Sequence, residues 1–251
     1  MTFFKKGSKT VTFATCVWEK DWRQILLDDQ YLNKMQIENH CYDFQEKILI
    51  INNVQNYKPV IEAAEKKIGE GVLTNFYLAK DHKKKILKFF QLDRKDFKKD
   101  ETFDGSDDWI YYNALGPLSA IYFCATDYLL YHTGDAFLKK PVSWIEKAIG
   151  MLEKKRSYKV ANLIWNNQLL EAQKESYKRR KDFLISKKGF SDQLFLIRRK
   201  DFQKPIYSLV TEEGSHFPRG DVFEKRVFCH MLKLGWKRIT YTKGGYTHQN
   251  F

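Results

Sequence analysis

Apolar residues in this chain fall into two textures: short continuous runs, and longer stretches where they recur every three or four positions. Val11–Trp18 (VTFATCVW), Lys47–Val54 (KILIINNV) and Val72–Lys80 (VLTNFYLAK) are runs of the first kind and read as strands. A continuous apolar run suits a strand covered on both faces, as in parallel sheets. Between them, DWRQILLDDQYLNKMQ and YKPVIEAAEKKIGEG read as helices, the second closing on glycines, and a basic helix follows residue 80. After a polar, acidic loop around DETFDGSDD, Asn113–Ala125 (NALGPLSAIYFCA) reads as a helix opening on Asn, Gly and Pro, and it feeds a strand in DYLLYHTGD. Strand and helix thus alternate four times over residues 1–140, which predicts an α/β fold with a mostly parallel, doubly wound (Rossmann-like) sheet sandwiched by helices.

Residues 141–251 are less regular. Val160–Asn167 (VANLIWNN) and Gln193–Arg199 (QLFLIRR) read as strands, FEKRVFCHMLKLGW as a helix, and KRITYTKGGYTHQNF as a strand with a tail. No repeat or Pro/Gly-rich linker separates the halves, so a single domain is expected, the second half extending the first half's sheet.

In doubly wound sheets ligands bind beyond the carboxyl ends of the strands. That places Thr15–Trp18, Asn52–Asn53, Lys80–Asp81 and Thr133–Asp135 along one rim. The last is distinctive, because the apolar segment TDYLLYHTGDAFL meets a lone carboxylate just after a glycine. Such a tip is common loop punctuation, and it is also where α/β enzymes hold a metal.

Composition narrows the reading. The 251 residues are 43 % hydrophobic, enough for a substantial core. No apolar run approaches the ~20 residues of a membrane span, and the opening MTFFKKGSKTVTF has too short an apolar stretch for a secretory signal. A soluble, cytoplasmic protein is expected. Cys16, Cys41, Cys124 and Cys229 are widely spaced with no CxxC pairing and sit mostly in apolar contexts, which predicts reduced, buried thiols.

The formal charge of +13 calls for an anionic partner: nucleic acid, a phosphorylated small molecule or an acidic membrane surface. The basic runs, KRRK near residue 180 among them, read as solvated helix faces. No GxGxxG follows the first strand and no GxxxxGK[ST] occurs, so phosphate must be held otherwise; a divalent cation on a strand-tip carboxylate, with Lys and Arg, would do it. A basic nucleic-acid-binding protein and a nucleotidyltransferase stay as alternatives. The first lacks any helix-turn-helix, zinc-finger or RNP-like motif, the second a glycine-rich, lysine-bearing loop.

In order, FATCVW, ILIINNV, the Asn-Gly-Pro helix, the strand ending in HTGD, GFSDQLFLIRR and a terminal YTH resemble the GT-A fold glycosyltransferases of the family-2-like kind. The resemblance covers nearly the whole chain in layout, through short motifs. It implies a nucleotide-sugar-binding half at 1–140 and an acceptor-binding half at 141–251. It also implies transfer of a sugar from a UDP-, GDP- or dTDP-sugar to a glycan hydroxyl, with Mn2+ or Mg2+, as in polysaccharide biosynthesis, and no nucleic-acid partner.

The family's fourth strand ends in Asp-x-Asp; here Asp135 matches the second acid and Thr133 replaces the first, with Gly134 between. His248 matches a C-terminal metal-ligating histidine, with Gly244 and Gly245 letting the tail fold over the donor. Asp192 resembles the base of an inverting enzyme, although GFSD is also ordinary turn chemistry. Thr15, Asn53 and Asp81 correspond to nucleoside contacts, or equally to caps and turns. Asn113, Gly116 and Pro117 would offer free helix-entry amides to a phosphate or sugar, or serve only to start the helix. Trp165 and Asn166 suit an acceptor platform, with core packing the plainer role for the tryptophan. Arg219 and Arg226 are candidates for the diphosphate or an acidic acceptor.

Overall fold

The computed structural model describes residues 9–187, 189–214, 216–217 and 219–248. One sheet runs through both halves of the chain. Its strands are β1 (Val11–Val17), β2 (Glu46–Ile51), β3 (Asn75–Leu78), β4 (Tyr128–His132), β5 (Ala136–Leu138), β6 (Tyr158–Trp165), β7 (Ser176–Arg180), β8 (Phe183–Ser186), β9 (Leu194–Arg198) and β10 (Lys237–His248). The order is β3-β2-β1-β4-β9-β6-β10-β8-β7, with β5 on β10. The first four strands are parallel to one another, as expected. Antiparallel β9 is inserted between β4 and β6, and β6 pairs in parallel with β10.

The apolar runs become fully buried strands because helices cover both faces. These are α1 (Trp22–Leu27), α2 (Tyr57–Gly69), α3 (Ala79–Phe90), α4 (Asp107–Phe123), α5 (Ile145–Lys154), α6 (Leu169–Lys174) and α7 (Phe223–Leu234). On one face the cluster built around α4, with Ile110, Leu115, Leu118 and Ile121, packs on Ile48, Ile50 and Leu129. The other face is filled by Trp144, Ile145, Ala148 and Leu152 of the α5 region, packed with Phe13, Leu130 and Leu196.

Several expectations are corrected. The helix expected over DWRQILLDDQYLNKMQ is broken: Asp28 Oδ1 accepts from the Gln30 amide at 2.9 Å, an Asx turn that ends α1 and competes with helix propagation. Helix α4 starts at Asp107 rather than Asn113; Ser106 caps it by accepting from the Trp109 amide at 3.2 Å, and Asp107 and Asp108 complement the first-turn dipole. Asn113, Gly116 and Pro117 are therefore interior helix positions whose backbones present no free entry amides. The KRRK run sits not on a helix but on β7, an exposed edge strand whose charges discourage pairing with another chain. Gly244 and Gly245 belong to a bulge within β10, which continues to His248; a side chain at 245 would strike Asn167 Oδ1 and the Ile164 carbonyl. The expected tail beyond His248 and the opening MTFFKKGS lie outside the described residues. Cys16, Cys41, Cys124 and Cys229 are free thiols, of which Cys124 and Cys229 are buried as expected, Cys16 is half-buried, and Cys41, just past a helical turn, is exposed, and no helix among the described residues is long and apolar enough to cross a membrane.

Gly116 has a packing role. A Cβ there would lie 3.0 Å from Cys16 Sγ and 3.3 Å from the Tyr131 hydroxyl, so glycine lets α4 settle onto the ends of β1 and β4. Gly116→Val should destabilise the protein by about 1–3 kcal/mol, the usual cost of overpacking, read as a lowered denaturant midpoint; an unchanged midpoint would mean that this approach is not tight.

Candidate functional site

Two strand pairings and one loop contact build the site at the C-terminal end of β4. The chain turns through Thr133–Asp135 into β5, and β5 pairs antiparallel with the end of β10 so that Ala136 faces His248. His248 Nε2 then reaches Asp135 Oδ2 at 2.7 Å. The Thr133 amide donates to the Gln193 carbonyl at 2.8 Å, which ties the Ser191–Gln193 loop, and with it Asp192, to the same turn. Gln193 Oε1 accepts from Trp165 Nε1 at 3.2 Å, and Asn166 Oδ1 accepts from the His248 amide at 3.4 Å.

The turn is held firmly from beneath. The Tyr31 hydroxyl donates to the Gly134 carbonyl at 2.5 Å. A Cβ at 134 would press on the Ile25 side chain, so glycine lets α1 pack closely against the turn. A buried polar chain supports the other side: Trp144 Nε1 donates to His40 Nδ1 at 3.0 Å, His40 and His132 meet at 3.1 Å, and His132 Nε2 lies 2.8 Å from the Ala136 carbonyl. The indole can only donate, so a neutral His40 carries its proton on Nε2 and gives it to His132 Nδ1, whose own Nε2–H goes to Ala136. Burial keeps both imidazoles neutral, lowering His132 to about 4 and His40 well below its ordinary value.

Acidic groups crowd round this turn. Burial pushes the Asp135 carboxyl up, but the hydrogen bond and charge of His248, the Thr133 hydroxyl and the turn's own backbone together outweigh it and the net shift is downward; His248 is raised in return, first by its bond to Asp135. The Thr133 hydroxyl lies near enough to help hold Asp135 ionised, yet it is buried and meets hydrogen-bond geometry with no group. Asp21, which accepts from the Trp18 amide at 2.8 Å, is raised to about 7 by burial and then by the charge of Asp135. Burial raises Asp192 to about 6, with Asp135 adding to the shift and Arg219 and His248 opposing it. Glu224, in the first turn of α7, is raised well above its usual range by burial and then by Asp192. Asp21, Asp192 and Glu224 thus favour holding protons until a positive charge arrives, while Asp135 stays ionised.

Seven of the residues singled out in the sequence converge here: Thr133, Gly134, Asp135, Trp165, Asn166, Asp192 and His248. Asn53 and Asp81 are exposed at the ends of β2 and β3; Asn53 adopts a left-handed φ of 52°, and Asp81 sits in the first turn of α3, where it also serves the helix dipole. Thr15 is corrected: its side chain is wholly buried inside β1, and at the tip only Cys16 and Trp18 reach the surface. Asn113 is half-buried with its Oδ1 unpartnered. Arg226 is also corrected, since its buried guanidinium donates to the carbonyls of Asp221, Tyr207 and Asp96 and is structural. Arg219 is exposed and stacks 5.2 Å from the Trp109 ring centroid, near enough to influence Asp192 and Glu224. Sequence reasoning missed Asp21, Gln193 and Glu224. Asp21 had one signal, its place just past the first strand's tip; the other two come together only through tertiary structure.

Among the described residues no group of three or more His, Cys, Asp and Glu side chains is arranged to hold a metal. Asp135 and His248 together offer one oxygen and one nitrogen. That donor set fits a cation completed by phosphate oxygens and water, as Mg2+ and Mn2+ are commonly held beside a phosphorylated substrate.

No family model matches the sequence, and no curated protein is similar to it in sequence. Solved structures are similar in fold. The mannosyltransferase PcManGT from Pyrobaculum calidifontis, in complex with GDP-Man and Mn2+, aligns over 96 % of this chain and 56 % of its own, with a TM-score of 0.51 and 12 % identity. GalNAc-T7 with UDP, GalNAc and Mn2+ aligns over 98 % of this chain and 44 % of its own, at the same TM-score and identity. This chain has the GT-A fold. It spans about half the length of these two GT-A proteins. In the GT-A frame, the Asp135 turn closes the fourth strand and β9 is the antiparallel insertion beside it.

The raised Asp192 carboxyl has a consequence for stability. An unfolded aspartate releases its proton near ~4, whereas the folded protein holds this one to about 6. Between those values the folded state binds more protons, so the contribution of Asp192 to stability declines as pH rises and is fully lost above about 6. Asp192→Asn should therefore stabilise the protein by about 1–2 kcal/mol near pH 7.5, with the gain vanishing below about pH 4, measured by chemical denaturation across pH. A variant less stable than the parent at neutral pH would contradict this.

Proposed function

We propose that this protein transfers a sugar from a nucleoside-diphosphate sugar to a hydroxyl of a glycan acceptor. The observation that carries the reading is the 2.7 Å contact of Asp135 with His248 at the tip of β4, beside Asp192, on a GT-A fold. Asp135 and His248 are the residues to hold Mn2+ or Mg2+. A cation there supplies positive charge as the diphosphate departs, where it stabilises the transition state more than the ground state.

The protein's own groups account for the rest. Asp192 is the base: it takes the proton of the acceptor hydroxyl while that oxygen bonds to the anomeric carbon and the bond from that carbon to the diphosphate breaks. With attack from the face opposite the diphosphate, the anomeric configuration inverts. Desolvation makes this carboxylate more basic than a surface aspartate while leaving it ionised at neutral pH, a useful compromise for a general base. Thr133 and Gly134 are proposed for the diphosphate side, where the buried Thr133 hydroxyl acts through Asp135, which it helps to hold ionised. Asn53 and Asp81 are proposed for the nucleoside and Asn113 for the donor; Thr15, Gly116 and Pro117 act through packing. Arg219 is placed to meet phosphate charge. Trp165 and Asn166 face the acceptor.

The test is turnover of UDP-, GDP- and dTDP-sugars with Mn2+ against a panel of glycosides. Asp135→Ala should abolish transfer with a native circular dichroism spectrum, and Asp192→Asn should lower kcat by about 10²–10⁴-fold with donor binding retained. Parental kcat/KM should fall as pH drops below about 6, as Asp192 takes up its proton. Near-parental transfer by either variant would overturn the assignment.

A further inference from the structure

A cavity of about 230 Å³ opens beside the base loop, between the end of β6, the start of β10 and the helices α6 and α7. Trp165, Ser191 and Glu224 line it on the side of Asp192, and Glu171, Glu175 and Arg238 on the other. Arg238 is only 9 % exposed; one of its amino groups donates to Glu175 Oε2 at 2.6 Å, while its Nε has no partner. Trp165 is 45 % exposed, and its Nε1–H is taken by Gln193, so the indole is fixed in orientation with open apolar surface.

We propose that this cavity is the acceptor subsite and that it takes a single sugar ring that is neutral or carries a protonated amine, and not an anionic one. The proposal rests on the glycosyl-transfer reading above. Size suits the occupant: a cavity of ~150 Å³ holds benzene, and this one is larger by the margin that ring hydroxyls need, with the rest of a longer acceptor free to extend into solvent. An amphipathic indole suits a sugar face. Charge limits it further, because three glutamates line the cavity against one arginine, and that arginine is already engaged by Glu175. An incoming carboxylate or phosphate would meet the Glu171 carboxylate, while Arg238, the cation of the lining, is already held by Glu175. An ammonium group would be paired by Glu171, and hydroxyls would find the Glu224 carboxyl, which burial inclines to keep its proton. The +13 surface therefore says nothing about what this cavity selects.

The experiment measures binding of three methyl glycosides to the full chain by saturation-transfer NMR without donor: a neutral hexoside, its amino-deoxy analogue and its uronic acid. The same three then serve as acceptors with a nucleotide sugar and Mn2+. The amino and neutral glycosides should exceed the uronic acid by about tenfold or more in both measurements, and Glu171→Lys, a change on an exposed helix, should shift the amine-to-uronate ratio towards the uronate by about tenfold. A uronate preference in the parent, a ratio unmoved by Glu171→Lys, or no glycoside binding would overturn the proposal. Glycosides bound in the expected order with no nucleotide sugar consumed would instead refute glycosyl transfer and leave the subsite standing; donor consumption with the opposite order would refute the subsite alone.

Discussion

The contact between Asp135 and His248 joins residues 113 positions apart, and the rest of the site is arranged around it. It forms because the last strand returns to the middle of the sheet: β10 pairs with β6 along most of its length and then takes β5 on its other edge. A slip of one residue in that pairing would turn His248 to the opposite face. The bulge between Tyr241 and Gly245 sets the register, and the close approach at Gly245 explains why no side chain is found there. The Trp144–His40–His132 chain and Tyr31 then fix the turn from below, so the carboxylate is placed by packing and not by the ligand it awaits.

Electrostatics separates this site from the surface around it. The chain is strongly basic, yet Asp21, Asp192, Glu224 and Asp135 are gathered within one another's fields. Gathering buried carboxylates costs stability, and the upward shifts of Asp21, Asp192 and Glu224 record that cost, while Asp135 is held ionised by His248 and Thr133. Such an arrangement makes physical sense where a cation, an activated hydroxyl or an ammonium group completes it, which connects the proposed metal pair, the proposed base and the proposed acceptor cavity as neighbouring parts of one acidic trough.

Much of the fold was legible because parallel strands buried on both faces write themselves as continuous apolar runs, and β1, β2 and β4 do so plainly. Asp135, His248 and Asp192 were legible because each closes or opens such an element. Other features resist local reading. A helix buried all round, like α4, has no polar face to mark its start, so Asn113-Ala-Leu-Gly-Pro looked like an entry when Ser106 was the cap. The edge strand β7 is covered in charge and imitates a helix face. Glu224 and Arg238 lie on separate elements whose meeting only the sheet order reveals.

The central claim is that Asp135 and His248 hold a divalent cation together with a nucleoside diphosphate. Electron paramagnetic resonance of Mn2+ added to the protein, with and without UDP or GDP, tests it most directly. The account predicts tight Mn2+ binding only when the diphosphate is present, with a coupling to imidazole nitrogen that disappears in His248→Ala. Mn2+ bound with no nitrogen coupling, or bound equally well by Asp135→Ala, would contradict it.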